Sequence, residues 1–356
     1  MQKPILVFLF SLLTISLSAQ KYSNEFLSIG VGAKAQGLAN AQVASVNDVT
    51  AGFWNPAALM NIGLSDEIQF GAMHAEWFAG IGKYDYLSAA MPLNDGNSVV
   101  GLSLIRFGID DIPNTLSLYE SDGTVNYDNI VPFSAADYAM LMSYAQGIGE
   151  NKNLKVGGNV KIIHRRIGPF ANAWGFGLDV GLHYTKGKWE FGLLGKDLTS
   201  TFNAWQFNFT ESEREVLQLT SNEIPINSVE ITRPQFILGA SRAFSLTENI
   251  GLRPELDLRF TTDGERNTLI SADPISIDPS LGAEFDYKKF LFLRLGVNNF
   301  QQDTDIAVDP YWTAEPTIGL GVLFKKIRLD YAFTDVGEQR NNTYSHVISL
   351  LFNLKR

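Results

Sequence analysis

The feature that most constrains the fold is a strict alternation of apolar and polar residues over long runs. From Ile250 to Thr261 the even positions are apolar, while the odd positions carry charged residues such as Arg253 and Asp257. Successive side chains of a β-strand point to opposite faces, so this pattern predicts a strand with one apolar face. The run from Trp174 to Thr185 repeats the pattern. Both runs are about twelve residues long, whereas strands of soluble proteins average about 5–6 residues and tilted membrane strands need about 9–11.

Similar runs recur along the chain and suggest one closed sheet. An even number of antiparallel strands is what a closed bacterial barrel requires. We therefore predict an all-β fold, a transmembrane antiparallel barrel of about fourteen strands. The candidate strands are 67–77, 83–92, 98–107, 135–147, 153–165, 171–185, 188–198, 233–244, 250–261, 279–288, 290–298, 312–325, 327–335 and 344–354.

The connections between these runs predict an orientation. The long connections are 108–134, 199–232, 262–278 and 299–311, and each follows an odd-numbered strand. Outer-membrane barrels place short turns in the periplasm and long loops outside, so strand one is expected to run outward. Three of the long connections are acidic, which is explained either by solvation or by binding of divalent ions or a basic partner. Their acidic residues are Asp110, Asp111, Glu120, Asp122, Asp128, Glu211, Glu213, Glu215, Glu223, Glu230, Asp303, Asp305 and Asp309.

The N-terminal part of the chain divides into two segments ahead of the barrel. Residues 1–20 have a basic residue, an apolar run of about eleven residues and a small-residue exit, which predicts a cleaved secretory signal, with an uncleaved anchor as the alternative. Residues 21–63 are dense in glycine and alanine, and we expect them to form a plug or hatch packed against the inner wall. Residues 64–356 would then form the barrel. No other run reaches about eighteen apolar residues, so no transmembrane helix is expected.

The polar faces of the predicted strands would line the lumen with charges of both signs. Such side chains are expected to pair with one another, either to hold barrel and plug together or to line a selective polar pathway. A lumen of this kind is a poor site for a fatty acid. The predicted network comprises Lys161, Arg165, Arg253, Glu255, Asp257, Arg259, Glu284, Asp286, Arg294, Arg328 and Asp330, with Lys155, Asn159, Asp179 and Lys196 on the same faces.

The N-terminal segment also carries a motif that resembles a known family. A small-residue run from Gly30 to Ala41 is followed by Asn55-Pro56-Ala57. This combination resembles the start of FadL-like outer-membrane barrels, and is most similar to the PorV/PorQ-type branch of Bacteroidetes. The resemblance implies a fourteen-stranded barrel in the cell outer membrane, with Asn55, Pro56 and Ala57 as the hatch motif. Asparagine can bond its own backbone two residues on, and proline fixes a turn.

The two branches of this family imply different functions. The FadL branch passes hydrophobic molecules, whereas the PorV branch serves type IX protein secretion. The charged lumen favours the second, so our first expectation is a non-enzymatic secretion component. Its partners would be outer-membrane lipid, a large translocon barrel and the C-terminal domains of secreted cargo. The alternative is a FadL-like channel for small hydrophobic solutes.

Other chemistry finds little support in the sequence. The chain has no cysteine, and His74, His164, His183 and His346 are scattered outside any metal-binding spacing. We expect the first, second and fourth of these histidines on the barrel wall near a membrane interface. No nucleophile motif is present, and a net charge of −10 argues against a nucleic-acid partner. Neither a cofactor nor a metal is expected, and the protein is not expected to be an enzyme.

Overall fold

The fold is a single ring of antiparallel strands around an N-terminal segment. The computed structural model describes residues 23–62, 67–77, 80–120, 123–303, 310–335 and 344–355, so the predicted signal at 1–20 lies outside the described residues. We number the barrel strands β1 to β14. They are β1 (Glu67–Trp77), β2 (Gly82–Leu93), β3 (Ser98–Asn114), β4 (Val131–Ile148), β5 (Leu154–Ile167), β6 (Ala171–Lys186), β7 (Trp189–Lys196 and Phe202–Phe207), β8 (Ser228–Ile231, Gln235–Arg242 and Phe244–Ser245), β9 (Ile250–Thr261), β10 (Ser276–Tyr287), β11 (Leu291–Asp303), β12 (Tyr311–Phe324), β13 (Ile327–Asp335) and β14 (Tyr344–Lys355).

The ring closes because the first strand pairs with both the second and the last. β1 is antiparallel to β14 from the pair Glu67 and Lys355 to the pair Glu76 and His346, and its other edge pairs with β2. Every strand therefore has two neighbours, which leaves no free sheet edge. The predicted closed antiparallel barrel of fourteen strands is confirmed.

The outer face of the ring is apolar and its alternate face is turned inward. Along β6 the outward side chains include Trp174, Phe176, Val180 and Leu182, all exposed, while the residues between them are buried or half-buried. The apolar residues that alternate along the sequence therefore lie on the outward face, which would meet lipid, as the sequence predicted. Among the residues that the structure describes, no helix is long and apolar enough to cross a membrane.

The sequence prediction was wrong about how far several strands extend. β3 continues to Asn114 and β4 begins at Val131, so much of the predicted loop 108–134 is strand. The predicted loop 199–232 contains the outer part of β7, an α-helix (Glu211–Leu219) and the start of β8. The β3 and β4 extensions are exposed or half-buried at nearly every position, and the buried positions of the β7 and β8 extensions, such as Asn203 and Glu230, are polar. The residues of these extensions therefore do not alternate in polarity, and hydrophobic period gives no signal there.

The N-terminal segment, residues 23–62, lies inside the ring, and we call it the hatch. It holds two short α-helices, α1 (Ala33–Gln36) and α2 (Ala51–Trp54), and two 3-10 turns, Glu25–Leu27 and Pro56–Asn61. Its polar contacts reach strands on several sides of the ring. The Ala33 amide donates to Ser349 of β14 at 3.1 Å, Asn159 of β5 donates to the Gly52 carbonyl at 2.8 Å, and Asn298 of β11 donates to the Ala39 carbonyl at 3.0 Å.

Candidate functional site

The candidate site is the contact between the hatch and the inner wall. The hatch backbone lies directly on wall glycines, because a side chain at those positions would occupy the same space. A Cβ added to Gly296 would lie 2.4 Å from the Leu38 carbonyl carbon, and one added to Gly157 would lie 2.6 Å from the Ala57 nitrogen. These distances are well inside van der Waals contact, so glycine is required for the close approach. Gly192, Gly282 and Gly319 meet the hatch backbone in the same way.

Asn55 ties the hatch to the wall at its centre. Its side chain is fully buried, and its Nδ2 donates to the carbonyl of Val43 and to that of Leu182 on β6, both at 3.0 Å. Its Oδ1 accepts the Ala57 amide at 3.2 Å, and Pro56 opens the following 3-10 turn. The Asn-Pro-Ala motif therefore connects two parts of the hatch with one wall strand.

Two carboxylates on β9 hold the next stretch of the hatch by its backbone. Asp257 Oδ2 accepts the amides of Gln42 and Val43 at 2.9 and 3.0 Å. Glu255 Oε1 accepts the amides of Ala44 and Ser45 at 2.8 and 3.2 Å. Four consecutive backbone donors thus find acceptors on one wall strand, which satisfies polar groups that burial would otherwise leave unpaired.

A second set of charges lies between the hatch and β10, β11 and β13. Arg294 donates to Glu284 at 2.7 Å and to Asp330 at 2.9 Å. Arg328 continues the chain of charges from Asp330, at 2.9 Å, to Asp48 of the hatch, at 3.8 Å. The members are Lys34, Asp48, Glu284, Arg294, Arg328 and Asp330, three cations and three anions. The network is electrically balanced, so it stabilises the closed interior rather than attracting an ion of one sign.

The two hatch members of this network have shifted pKa values. Burial lowers the pKa of Lys34 below its usual value, with Asp48 acting in the opposite sense. Burial alone would raise the pKa of Asp48, but Lys34 and Arg328 outweigh it and the pKa lies below the usual 3.8. Asp48 is therefore the anion that these cations hold in place at neutral pH.

A third cluster lies where β7 is interrupted. Lys161 contacts Asp179 Oδ1 at 2.8 Å and also binds Asp197, and all three residues are buried. Asp197 has a positive φ of 58° and accepts from Thr201 Oγ1 at 2.6 Å. The inward turn of Asp197 toward Lys161 explains why β7 breaks after Lys196 and resumes at Phe202.

The predicted lumen network is thus several separate clusters. Arg165 belongs to a fourth, with Asp137 at 2.9 Å and Glu230 at 3.1 Å. Glu230 was assigned to an acidic outer loop, but it lies on β8 and faces inward. Arg253 reaches Glu190 at 3.7 Å, Arg259 lies across from Asp278 on β10, and Asp286 accepts the Lys289 amide in a turn. The structure does not bring Arg253, Arg259 and Asp286 into the network that Arg294 and Arg328 form.

Sequence reasoning missed Lys34, Asp48, Asp137 and Asp197 as members of these clusters. Lys34 is the one basic residue in the small-residue run from Gly30 to Ala41. Its position there could have indicated that the hatch contributes a cation to the interior. It also missed the other half of the inner wall. The inward faces of β1 to β5 carry an apolar cluster that packs on the hatch. Its larger members are Trp77, Tyr84, Tyr86, Ile105, Leu141 and Ile163 from the wall, and Phe26, Leu27, Phe53, Trp54 and Leu59 from the hatch.

The described residues hold no group of histidine and acidic side chains arranged to bind a metal ion. His183 is buried, and its Nε2 lies 2.8 Å from the Ala44 carbonyl of the hatch. The other three histidines lie on the outward face, as expected of wall positions. Each is next to an aromatic or acidic side chain rather than another histidine.

Comparison with known proteins gives structural neighbours only. No family model and no curated protein matches the sequence. The fold is similar to the Pseudomonas putida toluene transporter TodX (14% identity, TM-score 0.56, 92% of this chain and 99% of that chain). It is also similar to the CymD monoaromatic hydrocarbon channel (13%, 0.52, 92% and 98%) and to a Pseudomonas aeruginosa FadL homologue (13%, 0.50, 91% and 98%).

These neighbours are FadL-family barrels, and the likeness extends over nearly the whole chain. At such identities it establishes a shared fold. A closed barrel of fourteen strands with an apolar outer belt is the architecture of bacterial outer membranes, and the chain is an outer-membrane protein. Two of these neighbours, TodX and CymD, are a transporter and a channel rather than enzymes. The PorV/PorQ assignment stays a prediction.

Proposed function

We propose that this protein is an outer-membrane channel of the FadL kind that passes small hydrophobic solutes, with the hatch as its movable closure. The observation that carries the proposal is the apolar inner wall of β1 to β5. There Trp77, Tyr84 and Ile105 are almost fully buried against the hatch. A pathway for apolar molecules needs such a lining, with polar groups kept to one side. The toluene and hydrocarbon transport named for the neighbours supports the same class of solute.

The position of the charges is compatible with this proposal. The expectation that a charged lumen argues against hydrophobic solutes assumed that charges line it all round. The balanced network of Lys34, Asp48, Glu284, Arg294, Arg328 and Asp330 joins the hatch to β10, β11 and β13. The clusters of Lys161 and Arg165 begin at β4 and β5. The inner faces of β1 to β3 carry none of these clusters, so a solute moving along β1 to β3 would not have to cross them.

The structure corresponds to a closed state under this proposal. The cavity bounded by Gly32, Asp48, Met73 and Tyr86 has room for about one water molecule. A solute the size of toluene needs the hatch side chains, chiefly Phe53 and Trp54, to move away from the wall. We expect transport to depend on hatch displacement.

A cross-link between hatch and wall tests this dependence directly. The chain has no cysteine, so Ala33→Cys combined with Ser349→Cys gives a unique pair where the Ala33 amide already touches the Ser349 hydroxyl at 3.1 Å. Uptake would be followed in intact Gram-negative cells with N-phenyl-1-naphthylamine, which fluoresces in the membrane, and with radiolabelled toluene. The wild type is expected to accelerate uptake over cells lacking it, and the oxidised pair to abolish the gain until a reductant is added. Each single cysteine variant is the control.

Two results would contradict the proposal. Uptake by the wild type no faster than in cells without the protein would remove the channel function itself. Uptake that persists with the hatch fully cross-linked would show that solutes do not pass by displacing the hatch.

A second candidate is the one that the sequence favoured, a PorV/PorQ-type component of type IX secretion. It is supported by a closed interior and by acidic side chains at the outer end, among them Asp111, Glu120 and Asp128, which are exposed. Its partners would be a large translocon barrel and the C-terminal domains of cargo. Purification from native membranes in a mild detergent would test it. Recovery of lipid alone would contradict the secretion role, and the oxidised hatch cross-link would leave a docking role intact while stopping transport.

A further inference from the structure

The apolar belt that faces the membrane is uneven around the barrel. On β9 every outward position from Ile250 to Phe260 is apolar, whereas on β2 and β3 the apolar series ends at Leu87 and Leu104. A tilted strand gains roughly 2.5 Å of height per residue. The belt is therefore about 25 Å tall on β9 but only about 15 Å from Leu93 to Leu87 on β2. Ionisable side chains at bilayer depth are costly, so a patch of them marks a site.

The residues above this short belt form a continuous polar row across six strands. Asp85 lies directly opposite His74 on one side and Arg106 on the other. His74 Nδ1 is 2.7 Å from Asp85 Oδ1, and Arg106 Nη1 donates to Asp85 Oδ2 at 3.2 Å. These side chains are about half to one-third exposed on the outward face.

The same row continues as aromatic rings. Tyr138 pairs with Arg106 in register, His164 with Tyr138, and Trp174 with His164. The ring centroids of Tyr138 and His164 are 6.3 Å apart, and those of His164 and Trp174 are 4.3 Å apart. Amphipathic rings of this kind belong at the level of lipid headgroups.

A second row, one step toward the membrane centre, is entirely apolar. Leu87, Leu104, Met140 and Ile162 are paired in register across β2 to β5. The apolar row, together with the polar row from Asp85 to Trp174, lines one groove of about 400 Å³ on the outer surface of the barrel, and His74 lies beside Asp85 at its edge. The groove thus has an apolar floor and a polar, aromatic upper edge, and it opens toward lipid.

We propose that this groove binds one phosphorylated glycolipid of the outer leaflet. An acyl chain would lie on Leu104, Met140 and Ile162. The headgroup phosphate would bind Arg106, whose guanidinium has five N–H donors and suits bidentate contact with phosphate. Arg106 gives Nη1 to Asp85 and folds over Gly108, toward the outer end of the strand. His74 and Asp85 offer the donor and acceptor that sugar hydroxyls and amides require.

A phosphorylated lipid fits these observations better than a protein partner because the groove opens onto the membrane. Acyl chains are already the neighbours of its floor. Lys83 lies on the same face but is paired with Asp110 at 2.9 Å, so the phosphate contact is assigned to Arg106. Long basic side chains that extend from an apolar wall toward the headgroups are typical of such contacts.

The test is the amount of phosphorylated glycolipid that stays with the purified barrel. The full-length protein would be extracted in a mild detergent, washed, and analysed by native mass spectrometry, with lipid phosphate measured in parallel. Arg106→Gln removes the phosphate contact, and Met140→Trp fills the groove without changing charge. The matched control is Arg233→Gln, an exposed arginine between the first two segments of β8 that donates to the Thr262 carbonyl beyond the end of β9. Heat-modifiable migration on a gel confirms that each variant is folded.

We expect about one glycolipid per wild-type barrel and per Arg233→Gln barrel. Arg106→Gln and Met140→Trp should each retain on the order of tenfold less, the loss expected for one charge-assisted contact or one blocked chain. Equal retention in all four proteins would overturn the proposal. Loss of a co-purifying protein from Arg106→Gln, with glycolipid unchanged, would also overturn it and would assign the surface to a protein partner.

Discussion

The carboxylate of Asp257 offers the sharpest test of how the hatch is held. It accepts the amides of Gln42 and Val43, and both bonds are buried. Asp257→Ala removes both acceptors while leaving Glu255 to hold Ala44 and Ser45. A hydrogen bond to a charged or buried acceptor contributes about 1.5 kcal/mol, so the loss amounts to about 3 kcal/mol. That corresponds to an opening equilibrium for this part of the hatch that is on the order of 100-fold more favourable.

Hydrogen–deuterium exchange of the folded barrel measures this change locally, because amide exchange reports the free energy of local opening. The peptide covering residues 42–45 should exchange on the order of 100-fold faster in Asp257→Ala, with β1 to β6 unchanged. Asp286→Asn is the control, since Asp286 contacts a turn amide at Lys289 and not the hatch. Unchanged exchange at 42–45, or an equal change in the control, would refute the assignment of this carboxylate as a hatch anchor.

Three further predictions concern the hatch. Asn55→Ala removes two donated bonds and one accepted bond, so we expect a fall of about 3 kcal/mol in unfolding free energy, measured by urea titration in detergent micelles. Gly296→Val puts side-chain atoms where the Leu38 carbonyl lies; limited proteolysis should then cut the hatch while the barrel stays resistant, and an uncut hatch would contradict the close contact. Burial alone would raise the pKa of Asp48, but Lys34 and Arg328 lower it by a larger amount, so the pKa of Asp48 lies below 3.8. Its stabilisation is therefore present above about pH 4 and lost as pH falls through the lowered pKa. Hatch proteolysis should rise on acidification in the wild type but not in Asp48→Asn.

The sequence predicted the barrel well because lipid imposes a strong pattern. Each membrane strand must be apolar on one face, so alternation identified the strands and their number. The hatch was indicated by a different constraint, the excess of glycine and alanine between Gly30 and Ala41, which close backbone packing requires.

The sequence could not predict which charges pair, because pairing depends on register around the whole ring. Arg294 and Asp330 are 36 residues apart, and only the strand order brings them together. Asp197 and Glu230 were assigned to a strand end and a loop. Their inward direction follows from contacts with Lys161 and Arg165 that no local pattern records.

The contacts of the hatch with β1 and β14 have a consequence for assembly. Gly32 donates its amide to Met73 of β1 at 2.9 Å, and Ala33 donates to Ser349 of β14 at 3.1 Å. β1 and β14 are the first and last strands in the barrel sequence, so the pairing between them is the one that closes the ring, and we call it the seam. The hatch precedes β1 in the chain and binds both edges of the seam. It is therefore expected to be synthesised first and to act as the template on which the first and last strands meet, so that the barrel closes around its own contents.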